Sequence, residues 1–133
     1  MNTTYWINKI MSTTFPSSGA TGFYVGLSST MPTAAGGNAT EPSGNNYSRQ
    51  AITAFTAPSN GVVSNAADIE FSRSSGIWFD RTNQCKYWVL FDGTGSSAHV
   101  LAAGTLQKPL TILGNATITF AAGAIKFTLT DAP

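Results

Sequence analysis

The sequence predicts an all-β protein, an antiparallel β-sandwich of jelly-roll type with a short N-terminal helix. Three observations carry this. Short apolar runs with a period of two recur along the chain. Turn residues break them at the roughly 8–12-residue spacing of sandwiches and barrels. No helical pattern separates successive strands, which disfavours a parallel α/β sheet. A chain of 133 residues is of single-domain size. The expected division is residues 1–16 as helix and docking segment and 17–133 as one sandwich domain.

The helix is expected over Thr3 to Met11. Thr3 or Thr4 can cap it. Trp6, Ile7, Ile10 and Met11 form one stripe, and Phe15-Pro16 with Ser17-Ser18-Gly19 ends it. A helix this short is marginal alone and must dock. Its stripe is therefore a candidate assembly interface as well as a candidate contact with its own domain.

The period changes after Gly22, where Phe23, Val25 and Leu27 alternate with Tyr24 and Gly26. Residues Ser28 to Asn46 hold hardly any bulky apolar side chain and read as a long surface loop, a length that is often functional. Tyr47 to Phe55 reads as a strand. Asn60-Gly61 signals a hairpin before Val62-Val63, and Ile69 and Phe71 then alternate with Asp68 and Glu70. Gly76 to Phe79 is a short extended piece. Cys85 to Phe91 is apolar on both parities, as in a central strand covered on both sides. His99 to Ala103, Leu110 to Leu113, Ala116 to Phe120 and Ile125 to Leu129 complete the set. In the last, Ile125, Phe127 and Leu129 point one way and Lys126 and Thr128 the other.

Composition removes several functions. Seven basic and six acidic residues give a net charge of +1, so nothing supports nucleic-acid binding through counterion release. No apolar run reaches the roughly 20 residues of a membrane span. Met1 to Ile10 lack the basic and apolar regions of a signal peptide. A single cysteine, Cys85, excludes an internal disulfide, and a single histidine, His99, excludes a His-rich metal cluster. His99 sits near Asp92, Ser96 and Ser97, but triad members normally converge from separate elements. Asp68 and Glu70 lie about 7 Å apart along one strand face, a spacing more typical of solvent-side residues than of a glycosidase pair. Asp80 and Asp92 lack EF-hand spacing, and Gly93-Thr94-Gly95 lacks the lysine of a phosphate loop. The expectation is a noncatalytic protein without cofactor or metal.

Binding is the class that remains. Trp78, Tyr87 and Trp88 are large aromatics within a short span, and a flat ring can stack on a sugar. Trp78 and Trp88 are thus candidate glycan contacts, although sandwich aromatics usually fill cores. Charged residues make up 10% of the chain, against roughly a quarter in typical domains. That uncharged surface, with strands apolar on both faces, points to association with copies of itself, a trimer for instance.

The chain resembles a family of small bacteriophage proteins, the tail fibre or minor virion structural proteins. The segment Phe23-Tyr24-Val25-Gly26-Leu27 through Met31-Pro32-Thr33 is similar to the family's first strand and turn. Glu41-Pro42-Ser43-Gly44-Asn45-Asn46-Tyr47-Ser48-Arg49-Gln50-Ala51-Ile52 carries the most specific match. Ser64-Asn65-Ala66-Ala67-Asp68-Ile69-Glu70-Phe71, a Trp78 segment, Phe91-Asp92 and Gly123 to Leu129 extend it. Gln84-Cys85-Lys86-Tyr87-Trp88 departs from the Thr-His-Trp-Gly-like run of other members. The resemblance implies a structural protein outside a tailed phage particle, a tail-fibre or tail-tip component contacting the host surface. Alternatives are a capsid decoration or head-fibre protein and, less favoured, a carbohydrate-binding module. Implied partners are further copies, other virion proteins of tail or capsid, and a host surface glycan. Within the specific block, Tyr47 and Arg49 are expected to anchor the long loop, with Arg49 pairing with Glu41 or a loop carbonyl.

Overall fold

The computed structural model describes residues 3–129; the outermost residues of the two expected segments, 1–2 and 130–133, lie outside them. The described chain is all-β and antiparallel with one short helix, consistent with a sandwich-like fold and not a closed barrel. In chain order the elements are α1 (Thr4–Thr14), β1 (Tyr24–Ser28), β2 (Gln50–Ala51), β3 (Val62–Ser64), β4 (Ile69–Glu70), β5 (Cys85–Phe91), β6 (Val100–Leu110), β7 (Thr119–Phe120) and β8 (Lys126–Thr128). They form a four-stranded sheet in the order β2-β1-β5-β6 and the two-stranded pairs β3-β8 and β4-β7.

Two compact units are present. The first comprises Met1–Thr21, Ile52–Ile69 and Thr119–Pro133. Here Thr3 caps α1, its Oγ1 accepting from the Trp6 amide at 3.2 Å. The helix runs one turn past the expected Met11. The Ser12 and Thr13 hydroxyls bond back to the Lys9 carbonyl, and the Phe15 amide closes the end on Met11. Ile7 and Met11 are buried, and α1 packs on β3. Phe15, Phe55 and Phe127 form an aromatic cluster with ring centroids 4.9–6.0 Å apart. Asn60 and Gly61 both take positive φ, 52° and 76°, closing the expected tight turn between Ser59 and Val62. The adjacent strand β8 buries Phe127 and exposes Lys126 and Thr128, and Ile125 just before it is buried as well.

The second unit comprises Gly22–Ala51 and Glu70–Ile118. Strand β5 is central, pairing with β1 (Val25↔Leu90) and with β6 (Val89↔Ala103). Val25, Leu27, Val89, Leu90 and Phe91 are almost fully buried, because both parities of β5 meet packed residues at its C-terminal half. The expected piece His99 to Ala103 becomes the long strand β6, extended to Leu110, whereas the expected strand Leu110 to Leu113 is lost beyond Leu110 and Ile112 makes only an isolated bridge to Phe79. The register of β6 shifts between the Tyr87↔Thr105 and Cys85↔Leu110 pairs. Conversely, the expected strand Tyr47 to Phe55 shrinks to Gln50–Ala51. Asn45 and Asn46 precede it with positive φ and the Tyr47 amide closes a turn on Gly44. The chain then leaves for the first unit at Ile52.

Candidate functional site

The long segment after β1 contains no strand until Gln50, yet its polar groups are tightly held. Ser28 is fully buried. Its Oγ donates to the Thr30 carbonyl at 2.6 Å and accepts from the amides of Thr30 and Thr40. The Thr30 hydroxyl donates to the Asn38 carbonyl and pairs with Thr40 Oγ1 at 2.8 Å. One residue thus ties both arms of the loop.

The loop is anchored at Glu41. Arg49 Nη2 meets Glu41 Oε1 at 2.7 Å, and its Nε approaches both carboxylate oxygens. Arg49 Nη1 donates to the carbonyls of Gly93 and Gly95. The guanidinium carbon lies 3.5 Å from the Phe91 ring centroid, a cation–π arrangement. Tyr47 donates its hydroxyl to Glu41 Oε2 at 2.6 Å and accepts from the Leu27 amide at 2.9 Å. Burial, and then the negative charge of Glu41, push the Tyr47 hydroxyl far above its ordinary range, so it remains a donor. Arg49 therefore pairs with the glutamate and with two loop carbonyls at once.

Beside this node, within the second unit, opens a cleft of about 410 Å³. One wall is the pinned loop, with Ser29, Thr30, Thr40 and Glu41; the other is the run Ile77 to Asp80 with Asn83. The second wall is also fixed. Trp78 Nε1 donates to the Asn45 carbonyl at 2.8 Å, and Phe79 bridges to Ile112. Asp80 Oδ1 accepts from the amides of Thr82 and Asn83. Ile77 is 57% exposed at the rim.

Of the two aromatic candidates, Trp78 lines the cleft and Trp88 does not. Trp78 is 6% exposed and sits edge-to-face with Tyr47 and Phe71, so it forms wall rather than platform. Trp88 is half-buried and lies against Gly104, the residue opposite it in β6, whose missing side chain makes room for the indole. Of the helix stripe, Ile7 and Met11 are covered, Ile10 is half-buried, and Trp6 is 51% exposed beside Tyr5 at 75%. Sequence reasoning passed over Thr30, Thr40, Asp80 and Asn83 as a cleft. Their only signal was membership of turn-rich segments flanking strands, and nothing in the spacing of residues 30 and 80 says that they meet.

Elsewhere, His99 Nδ1 lies 3.0 Å from Asp92 Oδ2 on an exposed turn. No serine or cysteine bonds to the imidazole among the described residues. Burial pushes the Cys85 thiol up to about 12. Among the described residues, no group of three or more His, Cys, Asp or Glu could hold a metal, and no helix is long and apolar enough to cross a membrane.

A family model described as the podophage GP4 fiber I protein gp80 matches residues 2–128. No curated protein matches the chain. The match covers nearly the whole chain, including the loop, its Glu41–Arg49 anchor and the cleft: the chain belongs to this podophage fibre family and is a structural fibre protein of the phage virion.

Proposed function

We propose that the protein is a noncatalytic component of the phage tail fibre or tail tip and that it contacts the host surface. The observation that carries this is the fibre-family match over residues 2–128. A held, hydroxyl- and amide-lined cleft adds a place where such contact can occur. The absence of catalysis is supported by the exposed, two-membered His99–Asp92 pair and by a buried Cys85 held as the thiol. Assembly with further copies, a trimer for instance, and with other virion proteins accounts for the exposed Tyr5, Trp6, Leu101 and Leu113. Residues 1–16 are then the docking segment, with Tyr5 and Trp6 exposed on its helix, and 17–133 the projecting part. Immunogold labelling of intact virions tests the location. Label at the tail is expected; label confined to the capsid rejects it.

A head-fibre or capsid-decoration role is the second reading, favoured by the chain's small size and lack of a fibrous repeat. Copy number separates the two. A few copies per particle fit the tail, and tens to hundreds fit the head.

A further inference from the structure

We infer that the cleft between the Ser29–Glu41 loop and the Ile77–Asn83 segment is a binding site for a neutral sugar ring. This rests on, and specifies, the host-contact reading. Its volume of about 410 Å³ falls in the lower part of the range of small-molecule sites, roughly 300–1,000 Å³, which suits one ring or two.

The chemistry of the lining selects the ligand. Glu41 is spent on Arg49 and Tyr47, so it offers little to a guest. Asp80 is different. Its Oδ1 is taken by two backbone amides, while Oδ2 has no protein partner among the described residues. The Asn83 side-chain amide likewise has none, and it is exposed beside Asp80. A carboxylate oxygen that accepts, next to an amide that both donates and accepts, matches a pair of adjacent sugar hydroxyls. Each of those also donates and accepts. Across the gap, the Thr30 and Thr40 hydroxyls have their protons engaged by the Asn38 carbonyl and by each other, so they add acceptor lone pairs. Ile77, 57% exposed, supplies an apolar surface for the ring's C–H face.

No lysine or arginine lines the cleft. An acidic sugar or a phosphate would therefore bring its charge to an unpaired carboxylate with nothing to offset it, which disfavours anionic ligands. The walls are pinned before any ligand arrives by the Ser28 hydrogen bonds, the Trp78–Asn45 bond and the Asp80 turn. Little ordering is thus left to oppose binding.

Saturation-transfer NMR on the full chain tests the site. The probes are glucose, galactose, mannose, rhamnose and N-acetylglucosamine, set against galacturonate and N-acetylneuraminate. We expect transfer to at least one neutral sugar and none to the acidic pair. Asp80→Asn keeps an oxygen for the two turn amides and should leave the fold intact, yet weaken that sugar roughly tenfold. Asn83→Ala, at an exposed side chain, should do the same. No transfer to any neutral sugar, preference for an acidic one, or undiminished binding in both variants overturns the inference. Binding of fluorescent protein to host cells separates the two levels. If wild type and variants bind cells equally, host contact stands and this site falls. If no protein binds cells, host contact fails while the sugar titration still decides the cleft.

Discussion

Arg49 and Glu41, eight residues apart in sequence, form an ion pair at 2.7 Å while their side chains keep only 13% and 17% of their surface exposed. A pair so covered is costly to break, because removing one partner leaves the other charge without compensation. Glu41→Ala or Arg49→Ala is expected to lose about 3 kcal/mol, read as a lower urea midpoint. The double variant Glu41→Met/Arg49→Met should lose less than the two single losses combined, since it leaves no orphan charge. Strictly additive losses would show that the two residues are not coupled.

Gly26 lies in β1 directly under this node. A side-chain carbon there would sit 2.7 Å from Glu41 Oε2, 2.9 Å from the Tyr47 hydroxyl and 2.9 Å from the Phe91 ring. Those atoms are held by the ion pair and by ring packing, so none can retreat cheaply. Gly26→Ala should cost about 1–3 kcal/mol, the usual penalty of overpacking. Gly95→Ala, with open space around the added carbon, serves as the control and should be nearly neutral by thermal melting.

Asn65 plays the corresponding part in the first unit. It is 1% exposed. Its amide donates to the carbonyls of Ala67 and Ala121, and its oxygen accepts from the Ile125 amide at 3.0 Å. Asn65→Ala should cost about 1–3 kcal/mol for each buried group left unsatisfied. Asn65→Asp, which turns an acceptor toward two carbonyls, should be at least as damaging. Chemical unfolding of both variants checks this, and wild-type midpoints would refute it.

Acid should act on the β5–β6 turn. Asp92 accepts first from the His99 backbone amide and then from its ring, and these bonds hold its carboxyl below the ordinary value of 3.8. A carboxyl lowered on folding stabilises the protein above its unfolded value, and that contribution is lost as pH falls through the folded one. Wild type should therefore be more stable than Asp92→Asn at pH 6. The gap should close as pH drops below about 4. A gap that stays constant down to pH 2 would contradict the linkage.

The local devices of this protein were written in short stretches of sequence. Thr3 capping α1, Asn60-Gly61 closing a turn, the in-out alternation of Ile125 to Leu129 and the two-sided burial of Val89, Leu90 and Phe91 each depend on neighbours within a few positions. Side-chain chemistry and backbone preference suffice there. The Glu41–Arg49 contact was half-legible for the same reason, since both residues sit in one twelve-residue block. What the sequence determined by itself was an all-β, weakly charged chain with an N-terminal helix and an anchored loop. The tertiary structure decided the rest. It stopped β2 at Ala51, carried β6 on to Leu110, turned Trp78 into a wall, and set Asp80 and Asn83 opposite Thr30 and Thr40. Those outcomes depend on which distant segments meet and compete for the same backbone groups, and such pairing is set by the packing of the whole unit, not by the pattern of any one segment.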